Sequence, residues 1–596
     1  MFFRVFKCKS TVIPARSVFT WRSYSRQFSA RPSTVSGNKT WLFLGGVTLL
    51  GSGIGLGLLY SLVKFDNHKI GSTTPLETVE PTTYADSQQF KTAISQIRDI
   101  VGDDNVSRNE DVIKAQADSF FSTHHPPDPI SQRPGVVVYP TSTEQVSQIL
   151  KVANKYKVPV VASSGLTSLE GQLMHVRGPN SVSLSFEKMD KILAVHPDDL
   201  DVVVQPGVGW EELDEFLRSK EETKHLMFGP DPGMGAKIGG MVGTSCSGTN
   251  AYKYGTMKEN VLNLTVVLAD GTILKTRQRP KKSSAGYDLT RLFIGSEGTL
   301  GIITEATIKL HVRPKVELVS ILSFPNIELA ASTAGSISKT GIQLNAIELL
   351  NETMVHFVNK YGGVVDQNDR PKTFSEKPTL LLKIGGPSKQ SVDEQIKLIS
   401  QISKENGLLS FESSKDENGN AILWSARRAG LWSTIQYGSE ILDDPNDVQV
   451  WSTDIVVPVS HLSRLIKETN DDLNSLGFKG KFSVAGHVGD GNCHFMILYN
   501  SKDYRKVESV VDRMVYRSLE HEGSCTGEHG VGVGKRKYLN DELGVSAVDL
   551  MRHIKLLLDP KRILNPDKVL KLDTTDNLDE QLEHVSLIES SNKHCC

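Results

Sequence analysis

Pro230-Asp-Pro-Gly-Met-Gly-Ala-Lys-Ile-Gly-Gly-Met-Val-Gly-Thr-Ser-Cys-Ser-Gly-Thr-Asn-Ala251 decides how this chain is read. Six of these 22 residues are glycine, and large side chains are scarce. Glycine loses the most conformational freedom on folding, so such density needs a cause. Close approach of backbone to a ligand is one cause, and a flexible linker is another. Met234, Ile238, Met241 and Val242 supply the apolar side chains that a linker lacks. The stretch therefore reads as a ligand-facing loop, whose N–H groups suit a phosphate or the polar edge of a flavin ring.

Two more small-residue loops lie on either side of it. Ser163-Ser-Gly-Leu-Thr-Ser-Leu-Glu-Gly171 follows an expected strand at Val158–Ala162, and Gly295-Ser-Glu-Gly-Thr-Leu-Gly301 precedes another at Gly301–Leu310. Hydroxyls and amides at a strand end suit a pyrophosphate, although taken alone the first loop reads equally as plain surface. Neither a G-x-G-x-x-G fingerprint nor a P-loop is present. Further strands are expected at Gly135–Tyr139, Val202–Gln205 and Leu262–Leu268, with a hairpin turn at Asp270-Gly271. Thr141-Ser-Thr-Glu144 has the form of a capping box before a helical stripe of Val146, Ile149, Leu150, Ala153 and Tyr156. Arg313-Pro314 marks a boundary, and residues 314–570 mix helices and strands.

The first 65 residues contain no Asp or Glu and nine basic residues: Arg4, Lys7, Lys9, Arg16, Arg22, Arg26, Arg31, Lys39 and Lys64. An acid-free, Arg- and Ser-rich start is the composition of a mitochondrial presequence, here residues 1–40. A basic nucleic-acid-binding arm would share the charge but not the apolar segment behind it. Trp41–Val63 is an uncharged run of 23 residues. At about 1.5 Å per residue it spans a bilayer core of roughly 30 Å. Trp41 and Tyr60 sit near its ends, and Gly51, Gly53, Gly55 and Gly57 give small-xxx-small spacing. The expectation is one transmembrane helix in the inner mitochondrial membrane, with the soluble part facing the intermembrane space. A polar lead-in (64–133) carries a helix near Phe90–Val101, and a polar tail (571–596) closes the chain.

Removing those nine positive charges takes the formal charge from −2 to −11. The folded part is acidic, which disfavours a nucleic-acid partner and suits a basic protein partner. Six scattered cysteines form no C-x-x-C pair, so neither a disulfide framework nor a zinc ribbon is expected.

Together the three loops resemble those of the flavoenzymes of the vanillyl-alcohol oxidase, or para-cresol methylhydroxylase, type, over about residues 134–570. The second half is similar to the FAD-linked D-2-hydroxy-acid dehydrogenases among them. The resemblance implies an α+β fold: a two-lobed FAD-binding domain (134–313) and a C-terminal α+β substrate cap (314–570). It places FAD contacts at Ser163, Ser164, Gly165, Leu166, Thr167, Ser168 and Gly171 in the first loop. In and beyond the glycine-rich stretch it places them at Pro230, Gly239, Gly240, Thr244, Gly248 and Gly255. Later contacts are implied at Glu297, Ile303 and Asn565. Such loops usually carry more glycine than this one, and Leu166 is bulky there. Members with covalent flavin often carry His where Thr167 lies, so non-covalent FAD is expected.

Gly486-His487-Val-Gly-Asp-Gly-Asn-Cys-His494 holds a tight-turn sequence between apolar runs, and Gly527-Glu528-His529-Gly530 comes some thirty residues later. Two histidines near a turn are more often structural than metal-binding, while two His and one carboxylate make a familiar open metal site. The resemblance implies that His487, His494 and Glu528 hold a divalent metal, Zn or Mn. It also implies that His529 is the base taking the substrate hydroxyl proton, the alternative being that His529 only orients Glu528. Arg427, in Leu423-Trp-Ser-Ala-Arg427-Arg-Ala, matches the arginine that grips the substrate carboxylate, with Arg428 the alternative. Trp451-Ser-Thr-Asp454 lacks the extra lysine that the 2-hydroxyglutarate branch places near Ser452, and Cys493 and Met496 also favour a small monocarboxylate. The implied activity is oxidation of D-lactate with cytochrome c as acceptor. D-2-hydroxyglutarate oxidation and a non-redox, alkylglycerone-phosphate synthase-like reaction are the competing enzyme readings, and a flavin-stabilised membrane scaffold is the non-enzymatic one.

Overall fold

The computed structural model describes residues 82–572. The expected presequence, the Trp41–Val63 segment and nearly all of the tail lie outside the described residues. Among the described residues no helix is long and apolar enough to cross a membrane.

The first lobe is a four-stranded sheet in the order Val106–Ser107, Val136–Val138, Val182–Ser185, Val160–Ser163. Its first pair is antiparallel and the other two are parallel. The predicted helical stripe is real: Thr143–Tyr156 buries Val146, Ile149, Leu150 and Ala153 completely. Ser142 caps this helix, its hydroxyl accepting from Gln145 N–H. The 64–133 region contributes more than a lead-in. Its helix Ser87–Val101 packs Phe90, Ile94 and Ile97 into the same core, and Val106–Ser107 forms the sheet edge. Ile563 and Leu564, from the far end of the chain, complete that core.

The second lobe is a five-stranded antiparallel sheet in the order Ile192–His196, Asp201–Val204, Ile302–Lys309, Val261–Val267, Ile273–Lys275. The Asp270-Gly271 turn joins its last two strands, with Gly271 at φ 83°. Ile238, Met241 and Val242 insert into this lobe's core, which fixes the glycine-rich stretch as the sequence predicts. Met234 is instead exposed.

The cap is an eight-stranded antiparallel sheet with helices on both faces. Alternation decides which face each residue serves. Leu380, Leu382 and Ile384 join one core with helices Ile327–Ser338, Lys389–Glu405 and Val459–Ser475, whereas Leu381 joins the core under helix Glu417–Arg428. On strand Leu344–Leu350, Ala346 and Leu350 pack on that second face. Glu348 lies between them in the same period-two register, so it points toward the helix that carries Arg427.

Candidate active site

A cavity of about 790 Å³ opens between the lobes and the cap. All three small-residue loops line it, together with Trp424, Arg427, Arg428, Ser452 and Met496 of the cap. Its size suits an extended cofactor with a small substrate. Of the expected FAD contacts, Ser163 to Ser168, Gly239, Gly240, Thr244, Gly248, Glu297, Ile303 and Asn565 line the wall. Gly171, Pro230 and Gly255 do not. Gly171 packs against Val533, and Gly255 sits at φ 78° against Glu259, so both serve the chain's own turns. Pro230 is buried beneath the loop.

Several wall residues spend their polar groups on the chain itself rather than on open space. The Ser163 hydroxyl donates to Gln116 at 2.5 Å, and Ser164 donates to the Pro206 carbonyl at 2.9 Å. Asn565 donates to the Glu297 carbonyl at 2.7 Å. Leu166 stands at φ 54°, the left-handed conformation that glycine adopts without penalty. This is the physical content of its departure from a more glycine-rich loop. A Cβ built on Gly240 would meet no atom within 4 Å, which leaves that backbone open to a ligand.

His487 follows strand Phe482–Gly486, a short 3-10 turn at Val488–Asp490 reverses the chain, and His494 lies on strand Asn492–Tyr499. The turn brings the two imidazoles within 5.5 Å, ring centre to ring centre. His487 Nδ1 lies 2.6 Å from Glu348 Oε1, and His494 Nδ1 lies 2.9 Å from the Thr453 carbonyl. Both partners only accept, so each Nδ1 donates, which leaves each Nε2 to face the cavity. Each Nε2 is 3.2 Å from the same oxygen, Glu528 Oε1. Three electron-rich atoms thus converge on one point at the cavity wall, and a second ring of carbonyl and carboxylate orients them. Burial opposes charge on His487, but the carboxylates of Glu348 and Glu528 overcome it and hold the imidazole well above its ordinary value. A cation in place of that proton would satisfy the same field. This donor set fits a divalent metal with an open position.

His529 stacks on His494 with ring centres 5.2 Å apart and lines the cavity. Burial disfavours its charged form, yet the carboxylates of Asp454 and Glu170 raise it above the usual imidazole range. Its backbone is tied on both sides: N–H to Asp454 Oδ2 at 2.9 Å, and carbonyl from Gln172 at 2.8 Å. Arg427 reaches the wall while its Nε donates to Glu348 Oε2 at 2.7 Å. Arg428 is exposed on the same rim. Ser452 and Met496 line the cavity, whereas Cys493 is fully buried in the cap core and does not.

No sequence motif marks Glu348, the shared brace of His487 and Arg427, or Asp454, the acceptor for the Glu528–His529 backbone. The available signal for Glu348 was a lone carboxylate inside the otherwise uncharged run Leu344–Leu350, which demands a partner once buried.

The FAD binding domain family matches residues 134–277, and the family of FAD linked oxidases, C-terminal domain, matches residues 313–569. The mitochondrial D-lactate dehydrogenase [cytochrome] of Kluyveromyces lactis is 46% identical, covering 85% of this chain and 86% of that protein. D-lactate dehydrogenase [cytochrome] 1, mitochondrial, of Saccharomyces cerevisiae is 43% identical, covering 85% and 84%. Among solved structures, p-cresol methylhydroxylase with substrate bound superposes with a TM-score of 0.64 at 15% identity, covering 83% of this chain and 99% of that one. That likeness bears out the two-lobed domain with its cap as a fold.

Proposed function

The chain belongs to the mitochondrial, FAD-linked D-lactate dehydrogenase (cytochrome) family, and on that premise we propose that it oxidises D-lactate to pyruvate and passes the electrons to cytochrome c. The observation that carries this reading is the convergence of His487, His494 and Glu528 on the wall of a cavity whose other side is formed by the three loops. Bound FAD, held without a covalent link along those loops, supplies the acceptor for the Cα hydride. A divalent metal held by His487, His494 and Glu528 supplies the positive charge that eases ionisation of the substrate hydroxyl.

The chain's own residues do the rest. Arg427, braced by Glu348, grips the substrate carboxylate through its remaining guanidinium N–H groups. His529 accepts the hydroxyl proton, and the nearby carboxylates of Asp454 and Glu170 stabilise the resulting imidazolium. Ser452 and Met496 offer no cation for a distal carboxylate, which favours a small monocarboxylate over 2-hydroxyglutarate. The same reading places the protein in the inner membrane through Trp41–Val63, facing the intermembrane space.

The test is anaerobic stopped-flow mixing of the yellow holoenzyme with D-lactate. Wild type bleaches its flavin, and His529→Ala slows bleaching by about 10²- to 10⁴-fold with a smaller change in KM. Bleaching of His529→Ala at the wild-type rate would reject it as the base. Absence of bleaching by D-lactate in the wild type would reject the activity.

A further inference from the structure

The loop Thr526–Gly532, which carries Glu528 and His529, belongs to no helix or strand. Five of its backbone amides nevertheless donate to two buried carboxylates. Asp454 Oδ2 accepts from the N–H groups of Gly527, Glu528 and His529 at 2.7, 2.8 and 2.9 Å. It also accepts the Thr526 hydroxyl at 2.8 Å. At the other end, Glu297 Oε1 accepts from Val531 N–H at 2.6 Å and Glu297 Oε2 from Gly532 N–H at 2.9 Å. The remaining Asp454 oxygen accepts from Asn492 at 2.9 Å, and Lys535 lies 3.6 Å from the carboxylate.

The two acids come from different parts of the fold. Asp454 follows the cap strand Gln449–Ser452, while Glu297 lies in the third small-residue loop of the flavin-binding half. The glycines around Glu528-His529 are what allow the contacts. A Cβ on Gly527 would stand 2.9 Å from Asp454 Oδ1 and 2.4 Å from Asn492. One on Gly530, at φ 81°, would stand 2.5 Å from Glu297 Oε1.

We propose that Asp454 and Glu297 are a pair of positioning residues that suspend the Glu528–His529 loop from the cap and from the flavin-binding half at once. The loop then takes its productive place only when both halves are in register. Glu297 acts in this pair through Val531 and Gly532. Only the kinetic part of the test rests on the assignment of His529 as base.

Asp454→Asn, Glu297→Gln and the double variant test this in the full-length holoenzyme. Glu297→Gln sets an NH2 against one of its two backbone N–H partners, and Asp454→Asn removes the charge that four loop donors share and sets an NH2 against either the loop or the Asn492 amide. The expected result for each single variant is a flavin-reduction rate per bound FAD about 10- to 100-fold lower, with a smaller change in KM for D-lactate. The double variant should lose much less than the product of the two single losses, because one loop is being released twice. A wild-type rate per bound FAD in Glu297→Gln would overturn the proposal, whatever FAD that variant retains. Losses that multiply in the double variant would overturn it by making the two acids independent. Should Asp454→Asn not fold, Asp454→Glu and Glu297→Asp keep the charge and displace the loop by one methylene, and wild-type rates in both would overturn it too. His529→Ala separates the premises: a slow His529→Ala beside clamp variants of wild-type rate sinks the clamp alone, and the reverse pattern sinks the base assignment alone.

Discussion

Glu348 has no exposed surface, and a carboxylate survives there because two cationic groups meet it, His487 on one oxygen and Arg427 on the other. Burial would raise its pKa, but those two neighbours hold it below the ordinary carboxylate range. It therefore acts twice, orienting a proposed metal ligand and bracing the proposed substrate arginine. Glu348→Gln keeps the shape and removes the charge. Metal affinity should fall by about 10- to 100-fold, as for other partners of ligating histidines. KM for D-lactate should rise in the same variant, because Arg427 loses its brace. Metal titration and steady-state kinetics check both effects, and wild-type values in each would show that Glu348 only fills space. That His487, His494, Glu528 and His529 belong together was suggested by turn chemistry and resemblance, and the fold does bring them to one place. Glu348 was not legible in that way, because its partners stand 79 and 139 residues away in the chain.

The hairpin bearing His487 and His494 shows the same division at the scale of elements. Gly489-Asp-Gly-Asn492 announced a tight turn, and a tight turn is there, with Gly491 at φ 78°. What presses on the turn was not readable from local pattern. The short helix Ala251–Tyr254, at the end of the glycine-rich stretch, packs beside strand Leu344–Leu350 and lays Tyr252 against Gly489. A Cβ on Gly489 would stand 2.2 Å from Ile347 Cγ2 and 2.3 Å from Tyr252 Cδ2. Gly489→Ala should therefore destabilise the protein by about 1–3 kcal/mol, as overpacking of a filled core does, and displace His487. A thermal melt with elemental analysis of the same sample measures both, and an unchanged melting temperature would mean that the turn yields freely. Strands rich in β-branched residues, such as Val261–Val267, were legible for the same local reason as the turn. Val182–Ser185 was not, because two of its four residues are serines, which carry no strand signal. Ser183 is in fact fully buried and donates to Gln116, a contact 67 residues away.

At the scale of the whole molecule, the charge distribution and the fold bear on the same question of place. The folded region is strongly acidic once the nine basic residues of the first 65 are set aside. An acidic enzyme that delivers electrons to a basic protein gains encounter rate from that complementarity, and only where the partner is present. The described residues contain no apolar helix of spanning length, and the proposed anchor, Trp41–Val63, lies outside them with an uncharged length that meets the bilayer requirement. The catalytic region comes after that segment in the chain, and a presequence ahead of it directs the N-terminus inward. The proposed orientation, with the acidic domain on the outer side of the inner membrane, rests on that order of segments and is open to direct test. Protease added to mitoplasts should then degrade it, while intact mitochondria protect it, and alkaline carbonate should leave it in the membrane fraction. The interaction should also weaken with salt, cytochrome c reduction at sub-saturating acceptor falling as ionic strength rises, because exposed charges are screened within about 8 Å at 0.15 M. Protection in mitoplasts would put the domain in the matrix, out of reach of cytochrome c, and would require a different acceptor for the same D-lactate chemistry.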